Sequence, residues 1–428
     1  MDNLIIMGGA KLDGTVKISG AKNSVLPIIK STLLTAGKCV IKNVPNLDDI
    51  NVTLRLLQSL GCETSYQGNT VEVTAAKITS SEAPYRFVKA LRSSFWVLGP
   101  LIARTGMAKV ALPGGDAIGS RPVDLHLKGL EKLGAEIHLK NGVVYGTAPS
   151  GLRPNKIRLD FQSVGATHQI MMTAALIPGT SVIQNAACEP EIVEVANFLS
   201  SMGAKIEGAG TTEIVIHGKE KLEGTEYEVE GDRIEAATFL VAAAMTGGKV
   251  TARGISREKL RGVLEVLEES GCSVVSTDNA LTLSAPDRLK AVSFVTNPYP
   301  GVATDVQPLL MAAMAKASGH CTVEERVFES RFGHVAEYRR LGAEISINQR
   351  VASITGVDEL TGAPVEGLDI RAVAGLVLMG LAAKGVTEVS GIHHLDRGYG
   401  FFVEKLKALG AQVSRVPVYE SREIVVGC

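Results

Sequence analysis

The stretch Leu130-Glu131-Lys132-Leu133-Gly134-Ala135 recurs in recognisable form six times along this chain. Close copies begin at Leu57 and Leu199, and looser copies begin at Leu267, Tyr338 and Leu406. The glycines of this phrase are 68 to 73 residues apart, at positions 61, 134, 203, 271, 342 and 410. A second set of glycines keeps the same step, at positions 37, 106, 179, 248, 319 and 385. Two markers with one period indicate six related units of about 70 residues.

Each unit has the pattern helix, strand, helix, strand, strand. An Ala/Leu-rich helix is predicted first, as in 237–245 or 372–383, and a glycine ends it where the chain turns left-handed. A short β-branched strand such as 39–41 follows, and a second helix ends at the repeated phrase. Two strands then pair, as in 135–139 and 143–147 around a turn at 140–142. Six large units fit two globular halves of three units better than a solenoid.

Composition excludes several classes of protein. The 428 residues carry a formal net charge of -1, which argues against a nucleic-acid coat or a basic membrane-surface protein. The longest apolar run, 372–383, is too short to span a membrane, and the first residues do not begin a signal peptide. The six cysteines contain no C-x-x-C pair, so we expect reduced thiols, no zinc knuckle and a cytoplasmic location.

Charged and polar residues recur at the start of the first helix of each unit. Some of them, such as Ser163, Asp232 and Asp369, can be ordinary helix N-caps. Cations do not suit this position because they oppose the helix dipole, so their presence suggests either an anion between them or a simple solvated surface. If both halves face one cleft, six cations meet there: Lys22, Arg92, Arg121, Arg331, Arg371 and Arg397. Such a pocket suits a polyanionic small molecule.

Charged residues also occur in a loop between a strand and a second helix, at 113–122, with the sequence Pro-Gly-Gly-Asp-Ala-Ile-Gly-Ser-Arg-Pro. Its small residues and its length are compatible with a lid that closes over a site. They are also compatible with an ordinary exposed loop, and composition alone favours that interpretation.

At these residues the chain resembles the UDP-N-acetylglucosamine enolpyruvyl transferase family (1-carboxyvinyltransferases), whose members begin bacterial peptidoglycan synthesis. The resemblance runs the full length and is carried by eight segments in order: 18–24, 90–94, 113–126, 189–192, 232–235, 304–307, 328–332 and 396–399. It implies an α/β fold of two inside-out α/β barrel domains, each of three repeated units (EPSP synthase-like), with the active site in the interdomain cleft. It also implies that residues 22–230 form the N-terminal domain, and that 1–21 with 231–428 form the C-terminal domain.

The resemblance further implies transfer of the enolpyruvyl group of phosphoenolpyruvate to the sugar 3′-hydroxyl, with release of phosphate. By family analogy Lys22, Arg121 and Arg397 hold the phosphate, and Arg331 and Arg371 hold the carboxylate. Asp305 is the base for the hydroxyl, with Asn23 beside it, and Asp116 donates the proton to the methylene carbon. The remaining substrate-binding residues are Arg92, Pro122, Val123, Asp124, Leu125, Gln162, Ser163, Val164, Val327 and Asp369. No metal or cofactor is expected, because the arginines supply the charge.

Two positions depart from the common family pattern. Asp116 stands where most members have cysteine, and an ordinary aspartate, with a pKa of about 3.9, is ionised at pH 7. We therefore expect Asp116 to act as an acid only in the closed, substrate-loaded site, where the substrate phosphate raises its pKa. Asp48 stands where the family commonly has lysine, so a cation near the cleft is lost.

Three other functions remain open at this stage. The sister enzyme 5-enolpyruvylshikimate-3-phosphate synthase shares the chemistry but has a different signature around the first helix. A transferase acting on another uridine nucleotide is compatible with Asp48. A module binding RNA ends would need a continuous basic stripe, whereas the cations here alternate with Asp305, Asp369 and Asp396. We expect small-molecule substrates as partners, and neither nucleic acid nor a membrane.

Asp116 predicts resistance to fosfomycin, an epoxide that inactivates the cysteine-containing members of the family by alkylating the thiol. A carboxylate is a much poorer nucleophile toward this epoxide. We expect no time-dependent inactivation of the wild-type enzyme, whereas Asp116→Cys should become sensitive. Residual activity after timed incubation with fosfomycin measures both, and inactivation of the wild type would refute the alignment of Asp116 with the family cysteine.

Overall fold

The computed structural model describes residues 2–113, 118–119 and 122–417, which form six four-stranded sheets and thirteen α-helices. The strands are β1 (Asp2–Met7), β2 (Asp13–Lys17), β3 (Lys38–Lys42), β4 (Glu63–Gln67), β5 (Thr70–Thr74), β6 (Glu82–Ala83), β7 (Met107–Ala111), β8 (Glu136–Lys140), β9 (Val143–Thr147), β10 (Lys156–Arg158), β11 (Gly179–Gln184), β12 (Lys205–Glu207), β13 (Glu213–Gly218), β14 (Glu226–Glu228), β15 (Lys249–Arg253), β16 (Ser273–Thr277), β17 (Ala280–Ser284), β18 (Phe294–Thr296), β19 (His320–Glu325), β20 (Glu344–Asn348), β21 (Val351–Thr355), β22 (Pro364–Glu366), β23 (Val386–Ser390) and β24 (Gln412–Pro417).

The α-helices are α1 (Lys22–Ser31), α2 (Asp48–Ser59), α3 (Tyr85–Ala90), α4 (Leu98–Thr105), α5 (Asp124–Lys132), α6 (Val164–Ala175), α7 (Pro190–Ser201), α8 (Arg233–Thr246), α9 (Arg261–Glu269), α10 (Gln307–Ala315), α11 (Val335–Arg340), α12 (Ile370–Ala382) and α13 (Phe402–Ala408). Short 3₁₀ helices cover Thr32–Leu34, Arg92–Val97, Glu258–Leu260 and Ile392–Arg397. None of the helices in the described ranges is long and apolar enough to cross a membrane.

The repeated unit matches its prediction, with one addition. The predicted helices 237–245 and 372–383 correspond to α8 and α12, and the predicted hairpin corresponds to β8 and β9. Each sheet also contains a short strand that pairs in parallel with the first strand of the unit, as β6 pairs with β7. Most of these added strands have only two or three residues, too few to give a periodic pattern.

The glycines of the repeated phrase all adopt a left-handed backbone, with φ between +89° and +111°. The second set follows this rule at four of its six positions, and the prediction was wrong for Gly37 and Gly248. Glycine is required there by close packing instead. A Cβ atom at Gly248 would lie 2.1 Å from the carbonyl oxygen of Leu12, and one at Gly37 would lie 2.5 Å from the amide nitrogen of Gly224.

Each half of the molecule is built with its most apolar helices inside and its sheets outside. Every residue of α10 is buried, and so are all but one of α12, because a helix that is apolar on all sides needs partners all around it. The helices α8, α10 and α12 pack against one another, while α4, α5 and α6 pack in the other half. In the sheets, buried and partly exposed residues alternate, as in β5 and β17.

The buried apolar residues form two separate clusters. One cluster runs from Ala21 to Val229, and the other combines residues between Leu4 and Ile18 with residues from Ile234 to Val413. We propose these clusters as the two domains predicted at 22–230 and at 1–21 with 231–428; those boundaries stay a prediction.

The chain crosses between the two clusters twice, at residues 18–22 and 229–233, where Gly20 and Gly231 form a backbone bridge. Asp232 fastens this crossing. Its carboxylate caps α8 by accepting the N–H groups of Ile234 (2.7 Å) and Glu235 (3.1 Å), and it also accepts the N–H of Lys22 (3.1 Å) at the start of α1. One side chain thus fixes the first turn of two helices that belong to different clusters.

Asp232→Ala should therefore destabilise the protein more than loss of an ordinary cap. We expect a loss of about 2–3 kcal/mol for Asp232→Ala, against about 1 kcal/mol for Asp369→Ala, whose carboxylate caps only α12. Urea unfolding followed by circular dichroism measures both. Equal losses would contradict a role of Asp232 at the crossing.

Candidate active site

Four of the six predicted cations lie in two groups, each built around one carboxylate. Asp305 forms ion pairs with Arg371 (3.1 Å) and Arg331 (3.4 Å). Asp49 forms ion pairs with Lys22 (2.6 Å) and Arg397 (2.9 Å). Three of the four cations are almost completely buried, and Arg397 is one-third exposed. Buried charges of this kind persist only when they are paired.

Local structure explains how each cation reaches its place. Lys22 is the first residue of α1, and Arg371 is the second residue of α12. Arg397 ends the 3₁₀ helix Ile392–Arg397, and Arg331 lies in the turn after β19. The two groups interact electrostatically: burial lowers the pKa of the Lys22 ammonium, and the charge of Arg371 from the other group lowers it further.

Asp305 is held strongly in its ionised form. Burial raises the pKa of the Asp305 carboxyl, but Arg371 and Arg331 outweigh burial and keep it well below its usual range. The side chain is about one-third exposed, so it remains open to a ligand. A carboxylate with so low a pKa is a weak base for as long as both guanidinium groups bind it.

The rest of the predicted substrate-binding set is spread around the same helix starts. Ser163 caps α6 by accepting the N–H of Ala166 (3.3 Å), and Val164 begins that helix. Asp369 caps α12. The others are half-buried or exposed residues near the first turns of helices or in loops: Asn23 on α1, Arg92 at the start of its 3₁₀ helix, Pro122 and Val123 before α5, Asp124 and Leu125 on α5, Gln162 before Ser163, and Val327 after β19.

Two predicted residues, Asp116 and Arg121, lie outside the described residues. Within the predicted lid segment the structure describes Ile118 and Gly119 between Pro113 and Pro122. The carbonyl of Ile118 accepts the N–H of Ser330 (3.2 Å), and a Cβ atom at Gly119 would lie 2.7 Å from the carboxyl carbon of Glu329. These two residues therefore contact the loop that carries Val327 and Arg331 in the other half.

Sequence reasoning missed several residues that shape this site. No sequence pattern singled out Asp49, which lies in the first turn of α2 and is 2% exposed. Glu325 is also buried, and it accepts the N–H groups of Val327 (2.8 Å) and Phe328 (3.0 Å) and the hydroxyl of Thr304 (3.0 Å). Glu325 thereby fixes both the loop that carries Val327 and the residue before Asp305. Its position at the end of a strand was the only sequence signal.

A second missed contact joins the two halves. Arg233, the first residue of α8, donates two hydrogen bonds to Glu191 on α7, at 2.8 and 3.2 Å. Burial raises the pKa of the Glu191 carboxyl, yet Arg233 outweighs burial and lowers it. This fork-shaped pair ties the start of α8 to the opposite cluster.

Lys30 is a fully buried lysine two turns beyond Lys22 on the same helix. Its ammonium contacts the carbonyl of Leu26 (3.0 Å) and the hydroxyl of Ser93 (3.3 Å). Because Ser93 follows Arg92, this contact links the helix that carries Lys22 to the helix that carries Arg92. Burial lowers the pKa of Lys30 to about 7.

The chain belongs to a known family. The family model described as EPSP synthase (3-phosphoshikimate 1-carboxyvinyltransferase) matches residues 6–406. The chain is 49% identical over 418 residues to UDP-N-acetylglucosamine 1-carboxyvinyltransferase 2 of Carboxydothermus hydrogenoformans, covering 97% of this chain and 100% of that relative. The corresponding protein of Staphylococcus saprophyticus is 47% identical, with coverage of 97% and 99%.

Solved structures agree. The enolpyruvyl transferase NikO from Streptomyces tendae superimposes with a TM-score of 0.88 at 27% identity, covering 98% of this chain and 99% of NikO. EPSP synthase from Acinetobacter baumannii has a TM-score of 0.77 at 18% identity, covering 97% and 100%, and supports the fold alone. The chain is a member of the EPSP synthase family, and its predicted EPSP synthase-like fold is confirmed.

The buried Lys30 predicts a particular pH dependence of stability. The unfolded chain keeps this lysine protonated up to its ordinary pKa of 10.5, whereas the folded protein releases the proton near pH 7. Between these values the unfolded state binds the extra proton, so Lys30 makes the folded state more stable as pH rises. The stability of Lys30→Met relative to wild type should therefore fall from pH 7 to pH 10, by up to about 1.4 kcal/mol per pH unit.

Urea unfolding at several pH values measures this difference. The exposed Lys38, in the same half of the molecule, provides the control Lys38→Met, whose difference from wild type should change little with pH. A difference for Lys30→Met that stays constant across this range would contradict the assignment.

Proposed function

We propose that this chain transfers the enolpyruvyl group of phosphoenolpyruvate to the 3′-hydroxyl of UDP-N-acetylglucosamine and releases phosphate. The step begins peptidoglycan synthesis and, in this proposal, takes place in the cytoplasm. The curated relatives named UDP-N-acetylglucosamine 1-carboxyvinyltransferase, at 47–49% identity over 97% of the chain, support this acceptor.

The observation that carries the proposal is the pair of cation groups in the cleft. Phosphoenolpyruvate is a small molecule with two anionic ends, a phosphate and a carboxylate. Arg331 and Arg371 already bind a carboxylate, that of Asp305, and we assign them to the carboxylate of phosphoenolpyruvate. Lys22 and Arg397, with Arg121, are assigned to the phosphate.

This assignment gives Asp305 a role that depends on substrate. The carboxylate of phosphoenolpyruvate would compete with Asp305 for the two arginines. Losing these partners raises the pKa of Asp305, so it becomes a better base where the acceptor hydroxyl needs one. Asn23, near the start of α1, would assist in orienting that hydroxyl.

The bond changes balance without any added reagent. The acceptor oxygen bonds to carbon 2 of phosphoenolpyruvate while its proton passes to Asp305, and Asp116 gives a proton to carbon 3. The tetrahedral intermediate then returns a proton from carbon 3 to the Asp116 carboxylate while the bond between carbon 2 and the phosphate oxygen breaks. This restores the double bond, and the phosphate leaves with the proton that Asp305 had accepted. Lys22, Arg121 and Arg397 stabilise the charge on the departing phosphate.

The UDP-sugar is assigned to the helix starts of the N-terminal half and the facing loop. The residues proposed to bind it are Arg92, Arg121, Pro122, Val123, Asp124, Leu125, Gln162, Ser163, Val164 and Val327. Asp369 supports Arg371 by capping α12. Asp48 lies exposed at the start of α2, facing a small pocket that Asp396 and Tyr399 also line.

Phosphate release from phosphoenolpyruvate tests the proposal directly. With UDP-N-acetylglucosamine, UMP and shikimate 3-phosphate compared as acceptors, we expect turnover with the first and at least about a hundredfold lower kcat/KM with the other two. An acceptor that leaves polar groups of the site unpaired is rejected by such a factor. Faster turnover with UMP or shikimate 3-phosphate would overturn the choice of acceptor.

Two arginine variants, one a test and the other its matched control, extend the same assay. Arg371→Ala removes a group proposed to bind phosphoenolpyruvate and should reduce release with every acceptor. Arg340→Ala removes an exposed guanidinium on α11 of the same half, which contacts Glu337 and the carbonyl of Pro364, and should leave release unchanged.

A further inference from the structure

Asp49 occupies a position that no predicted role explains. It lies in the first turn of α2, is 2% exposed, and is the carboxylate shared by Lys22 and Arg397. Its neighbour Asp48 is exposed. Two adjacent aspartates at one helix start thus have opposite environments, which a general preference for acidic residues at helix N-termini does not explain.

The two oxygens of Asp49 are divided between the two halves of the molecule. Oδ2 lies 2.6 Å from Nζ of Lys22, which belongs to the same half as Asp49. Oδ1 accepts the Nε–H of Arg397 at 2.9 Å, across 348 residues of sequence and from the opposite half. The carboxylate therefore sets the separation of two cations that lie on different secondary-structure elements, far apart in the sequence.

The ion pairs leave both cations able to bind a further anion. The contact with Arg397 uses the Nε–H alone, and a guanidinium has four other N–H groups. The ammonium of Lys22 has three donors. A phosphate can therefore bind both cations while Asp49 stays in contact with them, so Asp49 need not be displaced as a competitor.

We propose that Asp49 is a positioning residue for the phosphate site, which holds Lys22 and Arg397 together across the two halves of the molecule. The inference rests on the proposed function for the origin of the phosphate, the leaving group of phosphoenolpyruvate. Without Asp49, two cations would face each other near a third, Arg371, and repulsion would separate Arg397 from Lys22.

The charge state of Lys22 is what makes the proposal measurable. The charged groups that act on it come from four elements: Asp49 on α2, Arg397 at the end of its 3₁₀ helix, Arg371 on α12 and Lys30 on α1 itself; Asp232 contacts only its backbone N–H. Burial lowers the pKa of Lys22, Asp49 opposes burial, and the two arginines add to it. Asp49 is the one group among these that favours the ammonium form.

Removing the charge of Asp49 should thus weaken anion binding most at alkaline pH. A lysine with a lower pKa loses its proton earlier as pH rises, and a neutral amine does not attract phosphate. For Asp49→Asn we expect inorganic phosphate to bind on the order of tenfold more weakly at pH 8, with the alkaline loss of binding displaced to lower pH. Asp49→Glu should restore part of both properties.

Isothermal titration of the full-length protein with inorganic phosphate, between pH 6 and pH 10, measures these effects. Asp48→Asn removes the same charge one residue away, from an exposed side chain, and should bind phosphate within about twofold of wild type. The far-UV circular dichroism of each variant checks folding. Should Asp49→Asn fail to fold, Asp49→Glu still decides the question, since its longer side chain should displace the alkaline limb toward lower pH.

Two results would overturn the inference. The first is a variant that binds phosphate as tightly as wild type, with an unchanged pH dependence. The variant is Asp49→Asn, or Asp49→Glu if only that one folds, and this result would make Asp49 a structural residue or a competitor. Wild-type protein that binds no phosphate would also overturn it. Phosphate binding as predicted, together with no turnover of UDP-N-acetylglucosamine, would count only against the proposed acceptor.

Discussion

The cleft depends on the sharing of one carboxylate between two cations, which occurs twice. Buried lysine and arginine side chains are costly unless an opposite charge lies beside them. Asp305 provides this charge for Arg331 and Arg371, and Asp49 provides it for Lys22 and Arg397. The cations can therefore be buried close together and still present unused N–H groups to a ligand.

The architecture brings these groups to one place. The starts of α1 and α8, which belong to different halves, meet where the chain crosses from one half to the other. Asp232 caps α8 and also accepts the first N–H of α1, so the crossing of the chain lies directly beside Lys22. The Arg233–Glu191 pair adds a second fixed contact between the halves.

The same pairing shifts the pKa values of the charged groups in both parts of the site. A carboxylate held by two arginines has a low pKa and is a weak base, and burial lowers the pKa of Lys22 while Asp49 opposes this shift. An anion that displaces Asp305 from the two arginines would raise the pKa of Asp305. An anion that binds beside Asp49 would leave the ion pairs of Lys22 and Arg397 unchanged. In the proposed reaction, substrate binding therefore activates Asp305 and relies on the Asp49 group, which does not change.

The sequence by itself determined the repeat, the helix–strand–helix–strand–strand order of each unit without its added parallel strand, the caps at Ser163, Asp232 and Asp369, and the family. These features depend on residues within one unit or on motifs that lie in order along the chain. Only the tertiary structure decided that Asp49 and not Asp48 is buried, that Arg397 meets it from 348 residues away, and that Lys30 is enclosed. The physical reason is that the strength of an ion pair depends on the distance between the charges in space and on the exclusion of water, and neither is a property of local sequence.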